Sequence, residues 1–227
     1  MRQLLTSMRF ILLWIIGSVF SLGASLIGAV VIFTVSAFIA TIFYATQNRE
    51  PNFTEMLIWG GVVYSIIGLV FGLMVGAMQK LLLRQKTDES WSGWLLMSAI
   101  GGVIGVDILM LLLAQQLGIA INTMTLPPKE VLWLIGAQIF IIPFASLSVL
   151  QMFVLWRYVK GAWTWILANV VSGLVVYALL GAGLVSTGVF LVSLLALLAV
   201  VAAAPIVTGF AMLWLINFNW KYTYPEF

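Results

Sequence analysis

The sequence has no cysteine and no histidine. Without thiolate or imidazole there are no disulfides, and Cys/His zinc sites, haem ligation, Ser-His-Asp triads and thiol proteases are excluded. Charge is scarce as well. Only 7% of the 227 residues are charged, against about 25% in a soluble domain. Asp88 and Glu89 are neighbours, but adjacent acids in a short turn simply stay wet. No nucleophile–base pair stands out. The reading is therefore a non-enzyme with no metal and no cofactor.

Apolar residues are what the chain has in abundance: 63% of the total, with a mean hydropathy of +1.18. A soluble fold of this size could not hide so much apolar surface in one core. Lipid must act as solvent for much of the outer face. The net charge of +3 comes from basic residues scattered over short loops and helix ends. They read as topology signals, and no nucleic-acid partner is expected.

Six apolar stretches cover roughly 9–44, 54–83, 91–117, 129–158, 162–184 and 188–218. Crossing the ~30 Å hydrocarbon core takes about 20 helical residues. The expectation is an all-α polytopic transmembrane bundle of about six spans, forming a single domain over 1–227. The first stretch suits either one long projecting helix or two short ones with a turn near Gly23–Gly28. Asn52 to Glu55 fits a capping box opening the second helix. Gly118 is expected to close the third helix, Pro127 and Pro128 to start the fourth, and Gly181 and Gly183 to loosen the end of the fifth.

With six spans and the N-terminus inside, eight of the ten basic residues fall on the cytoplasmic side: Arg2, Arg9, Lys80, Arg84, Lys86, Arg157, Lys160 and Lys221. Arg49 and Lys129 fall outside. This obeys the positive-inside rule and predicts an inner-membrane protein with both termini cytoplasmic. Trp91, Trp94, Trp156, Trp163, Trp165, Trp214 and Trp220 sit near the cytoplasmic ends, and Trp59 and Trp133 near the outer ends. All are expected at the headgroups.

The chain also aligns with itself. Trp94 to Gly101 matches Trp165 to Ser172, and more weakly Trp14 to Ser21. Each Trp is followed four residues on by Ser18, Ser98 or Asn169. Gly76-Ala-Met-Gln79 leads to Arg84, and Ser148-Val-Leu-Gln151 to Arg157. A third copy, Gly209-Phe-Ala-Met212, lacks the Gln and the Arg. The unit is a helical hairpin repeated in tandem over 8–86, 90–160 and 162–220, which implies a pseudo-symmetric bundle. These Trp-x3-[Asn/Ser] starts and small-x2-Gln…Arg finishes resemble a group of uncharacterised multi-pass membrane proteins common in cyanobacteria. Lys80 departs from that group's usual aromatic residue after Gln79. The resemblance implies the architecture and no activity.

Three sets of residues are candidates for a site. Gln79, Gln151 and Asn169 near the inner boundary serve either as interhelical glue or, with Arg84, Lys86, Arg157 and Lys160, as contacts to lipid headgroups. Gly68, Gly72 and Gly76, and Gly101 with Gly105, form small-residue seams, either inside the chain or against a second copy or another membrane protein. Asp107 lies near mid-bilayer. An ionised Asp there costs about 2.5–3.5 kcal/mol even on lenient scales. It is either a proton or cation carrier, or a neutral acid satisfied by one or two partners. Depth matching selects the hydroxyls of Tyr64 and Tyr177, or a carbonyl freed by Pro143 or Pro205. The function expected is a packing, assembly or partner-binding bundle; the alternative is a small proton- or cation-coupled transporter.

Overall fold

The computed structural model describes residues 2–87, 89–123, 129–181 and 190–219; side chains are excepted at 2–5, 53, 57, 117–123, 129–133, 180–181 and 190–201. The described residues form an all-α bundle of six helices. They are α1 (Arg2–Thr46), α2 (Phe53–Thr87), α3 (Trp94–Thr123), α4 (Lys129–Tyr158), α5 (Thr164–Gly181) and α6 (Phe190–Phe218). Four of them are long and apolar enough to cross a membrane; the described apolar stretches Thr164–Leu179 and Ala202–Phe218 are shorter.

The open question about the first stretch is settled by one continuous helix. At 1.5 Å per residue, the 45 residues of α1 run to roughly 68 Å, about twice the hydrocarbon thickness. Gly118 does not close α3, which continues to Thr123: an apolar run already in helical register has no need to stop at one glycine, whose penalty is only about 1 kcal/mol. Pro127, Pro128 and Gly183 lie outside the described residues, as do Asp88, Trp220 and Lys221.

Helix ends otherwise follow local chemistry. Asn52 Oδ1 accepts from the Glu55 amide at 2.9 Å, and Glu55 Oε2 accepts from the Asn52 amide at 3.1 Å. That is the reciprocal cap the spacing predicts. Arg49 adds a two-pronged contact to the same carboxylate, at 2.8 and 3.0 Å. The turns before α3 and α5 each use a glycine with positive φ, Gly93 at 83° and Gly161 at 69°, where a Cβ would be strained.

Each helix packs on its chain neighbours, and α6 returns to pack on α1, so the six form a closed ring. One end carries Arg9, Lys80, Arg84, Lys86, Arg157 and Lys160 and is called the basic end below. The far end carries the Arg49–Glu55 turn.

Glycines set the closest approaches in the ring. A Cβ on Gly72 would fall on the Ser98 carbonyl, and one on Gly68 would lie 2.5 Å from the Gly102 carbonyl. A Cβ on Gly101 would lie 2.7 Å from the Leu147 Cα, and one on Gly105 2.8 Å from the Pro143 Cα. The seams at Gly68, Gly72, Gly76, Gly101 and Gly105 are thus occupied by α2–α3 and α3–α4 contacts within the chain.

Candidate functional site

The largest fully buried side chains gather at the basic end. Trp14, Trp91, Trp94 and Trp165 have no exposed surface. This corrects the expectation that Trp91, Trp94 and Trp165 sit among headgroups; Trp156, Trp163 and Trp214 are the exposed ones. The physical reason is position along the hairpin. Gly93 and Gly161 turn the chain before Trp94 and Trp165, and Trp91, itself at positive φ ahead of Gly93, donates its Nε1 to Thr87 Oγ1 at 2.8 Å.

Trp14, Trp94 and Trp165 are the three tryptophans that the internal alignment superposes, and they meet. The Trp14 and Trp165 centroids are 6.1 Å apart in an edge-to-face pair at 86°, and those of Trp94 and Trp165 are 6.5 Å apart. Trp91 stacks edge-on against Trp94 at 5.5 Å. Pairs of this kind contribute about 0.5–1.5 kcal/mol each beyond the area they bury. Together the rings plug the basic end of the ring.

Amides and hydroxyls lace the plug. Gln151, fully buried on α4, accepts from Trp165 Nε1 at 2.9 Å. Its own Nε2 donates to Gln79 Oε1 at 2.7 Å and to Ser98 Oγ at 2.8 Å. One side chain therefore ties α2, α3 and α5 to α4. Asn169 Nδ2 donates to the Trp165 carbonyl at 2.9 Å. Trp14 Nε1 donates to Thr208 Oγ1 at 3.2 Å, joining the first helix to the last. Met212 stands where the third hairpin lacks the glutamine, so Trp14 finds its acceptor one turn earlier on α6. Trp94 Nε1 is buried with no partner; Gln79, its counterpart acceptor in the alignment, already receives Gln151.

Gln79, Gln151 and Asn169 are buried, whereas Arg84 and Arg157 are exposed. The structure does not bring the amides and the arginines into one headgroup site. The glutamine amides have partners inside the ring, whereas a buried cation would lose its hydration.

Above the plug two adjoining, partly open spaces lie between the helices. The lower, about 30 Å³, is lined by Ser18, Ser21, Gln79, Asn169, Ser172 and Thr208 among others. The upper, about 260 Å³, takes side chains from all six helices, including Leu26, Phe71, Val106, Phe140, Val176 and Ala204. Leu22, Phe144 and Ala204 line both. Sequence reading missed this lumen, since a cavity depends on how six helices splay. The signal available was the serine and asparagine set four residues after each tryptophan.

Asp107 lines neither space. It is half-buried between α2 and α3, where Ser65 Oγ donates to it at 2.9 Å to Oδ2 and 3.1 Å to Oδ1. The expectation named Tyr64 or Tyr177. The Tyr177 ring instead packs over Gly136 on α4, and Tyr64 lines a groove facing α1. Helix spacing held the answer: Ser65 lies three residues before Gly68, on the stripe with Gly72 and Gly76. Where two backbones nearly touch, a short hydroxyl reaches a carboxyl and a long phenol does not fit. No group of three or more His, Cys, Asp or Glu that could hold a metal occurs among the described residues.

No protein-family model, no curated protein and no solved structure matches the chain.

Proposed function

We propose that the chain is a non-enzymatic multi-pass bundle that packs against, assembles or stabilises other components of a bacterial inner membrane, with both termini cytoplasmic. The observation that carries this reading is the plug. Trp14, Trp94 and Trp165 fill the basic end of the ring, and the buried amides of Gln79 and Gln151 bond to one another and to Ser98 and Trp165. A transporter needs a water-reachable path with polar walls, and the wide part of this lumen is apolar. Asp107, the natural carrier for protons or cations, is engaged by Ser65 in a seam away from that lumen. The meeting of three aligned tryptophans around one centre also supports reading the chain as three parallel hairpin repeats.

The long apolar flank of α1 supports a role in contacts within the bilayer. Phe20, Leu26, Val30, Phe33 and Phe38 are all exposed on that helix, a surface open to lipid and to neighbouring membrane proteins. The deciding experiment is flux. The purified chain in sealed vesicles is expected to pass H⁺, Na⁺ and K⁺ no faster than empty vesicles do. A flux abolished by Asp107→Asn would overturn the scaffold reading in favour of coupled transport. A reporter fused after Phe227 is expected on the cytoplasmic face.

A further inference from the structure

We propose that the lumen of the ring is a binding site for a single-chain amphiphile with a small, uncharged, hydrogen-bonding head, such as a long-chain alcohol. The inference does not depend on the scaffold reading.

The lumen has two chemically different ends. Next to the tryptophan plug it is lined by the hydroxyls of Ser18, Ser21, Ser172 and Thr208 and the amides of Gln79 and Asn169. Its volume there is about 30 Å³, room for a hydroxyl-sized group or a water. Above Leu22, Phe144 and Ala204 it widens to about 260 Å³, and there the wall is almost wholly aliphatic and aromatic. Empty apolar space of that size forfeits the dispersion contacts of its walls. Dry apolar cavities take up apolar molecules rather than water, and a membrane supplies such molecules at high concentration.

Length and charge narrow the ligand further. From Ser18 to Ala29, the lining residues of α1 at the two extremes, the helix rises roughly 16 Å. That is about half the hydrocarbon thickness, the depth of one leaflet. Polar at the basic end and apolar toward mid-bilayer, the lumen has the polarity of a lipid in the inner leaflet. No Asp, Glu, Lys or Arg lines either part. A charged head would lose its hydration with no counter-ion to replace it, whereas an alcohol can both donate to and accept from hydroxyls and amides. The tryptophan plug lies below the polar part, so the site holds its ligand and does not pass it through.

The test uses the full chain in phosphatidylcholine vesicles and two photoreactive decanols, one with its diazirine beside the hydroxyl and one with it at the chain terminus. Adducts mapped by mass spectrometry are expected near Ser21, Asn169 and Thr208 for the first probe and near Val106, Phe140 and Val176 for the second. Unlabelled decanol is expected to suppress both sets at least about ten-fold more effectively than decyltrimethylammonium. Ala204→Phe, which fills the junction of the two spaces, is expected to abolish these adducts, and Val62→Trp on the exposed face of α2 to leave them unchanged. Adducts confined to outward-facing residues such as Phe20 and Phe38 would overturn the proposal. So would persistence in Ala204→Phe, or equal competition by the cation. The adduct map of the unsubstituted chain decides the matter even if Ala204→Phe fails to fold.

Discussion

The two ends of the ring are built on different principles. At the basic end, Trp14, Trp91, Trp94 and Trp165 pack with Leu83, Leu155, Val159, Met212 and Leu215 in one continuous buried cluster. Beyond the lumen, α1 exposes Phe33, Phe38, Ile42 and Phe43, and the far turn is held by a local polar cap. Between helices in lipid the hydrophobic effect is absent, so apolar character alone draws nothing together. Helices associate where backbones approach closely or where rigid rings and amides interlock. Rings and amides interlock at the basic end, close backbone approach continues along the α2–α3 and α3–α4 seams, and lipid serves as packing partner along the exposed flank of α1. The largest buried rings of this protein are thus set at one boundary of the bundle.

The sharpest way to break that contrast is to force the α2–α3 seam apart. Gly72→Ala places a Cβ on the Ser98 carbonyl, where neither backbone can yield. A loss of about 3 kcal/mol is expected, which lowers the thermal midpoint by roughly 6–12 °C for a chain of this size. Gly23→Ala, with nothing within 4 Å of the new carbon, is expected to be neutral or to gain up to about 1 kcal/mol from helix propensity. Equal effects at the two glycines would mean that the seam is not where the structure puts it.

Next in size is Gln151→Leu. It removes three hydrogen bonds and leaves Trp165 Nε1 buried without an acceptor. The expected cost is about 2 kcal/mol, read as a fall of roughly 4–8 °C in the same detergent. Asn52→Ala, at the far end, deletes a cap and is expected to cost about 1 kcal/mol. Its effect on amide exchange should stay within the first turn of α2. Smallest is the Ser65–Asp107 pair. Ser65→Ala and Asp107→Asn are each expected to cost about 0.6 kcal/mol, and the double substitution little more than either alone. If the Asp107 variants prove more damaging than Gln151→Leu, the tryptophan plug is not the main lock of the ring.

Much of this was legible in advance. The apolar runs marked the helices, Asn52 and Glu55 marked the cap, and the self-alignment singled out Trp14, Trp94 and Trp165. Their burial was not legible. A tryptophan beside a basic turn suits a headgroup as well as a core, and only the turn geometry at Gly93 and Gly161 separates the two. Gln79 and Gln151 were identifiable as a pair of candidates, but their mutual bond depends on which helices adjoin in the ring. The partner of Asp107 was missed because matching by depth ignores the space available. The glycine stripe that made room for Ser65 was in plain view.

The central claim is that the ring is sealed against water. The missing cysteines make it directly measurable with two single replacements and a membrane-impermeant maleimide applied to intact and to inverted vesicles. Ser25→Cys lies on the buried lumen wall and Ser92→Cys in the exposed turn before α3. The account predicts labelling of Ser92→Cys from the cytoplasmic side alone, and none of Ser25→Cys from either side until the chain is denatured. Labelling of Ser25→Cys in intact vesicles at a rate comparable to Ser92→Cys would show an aqueous path through the ring and contradict it.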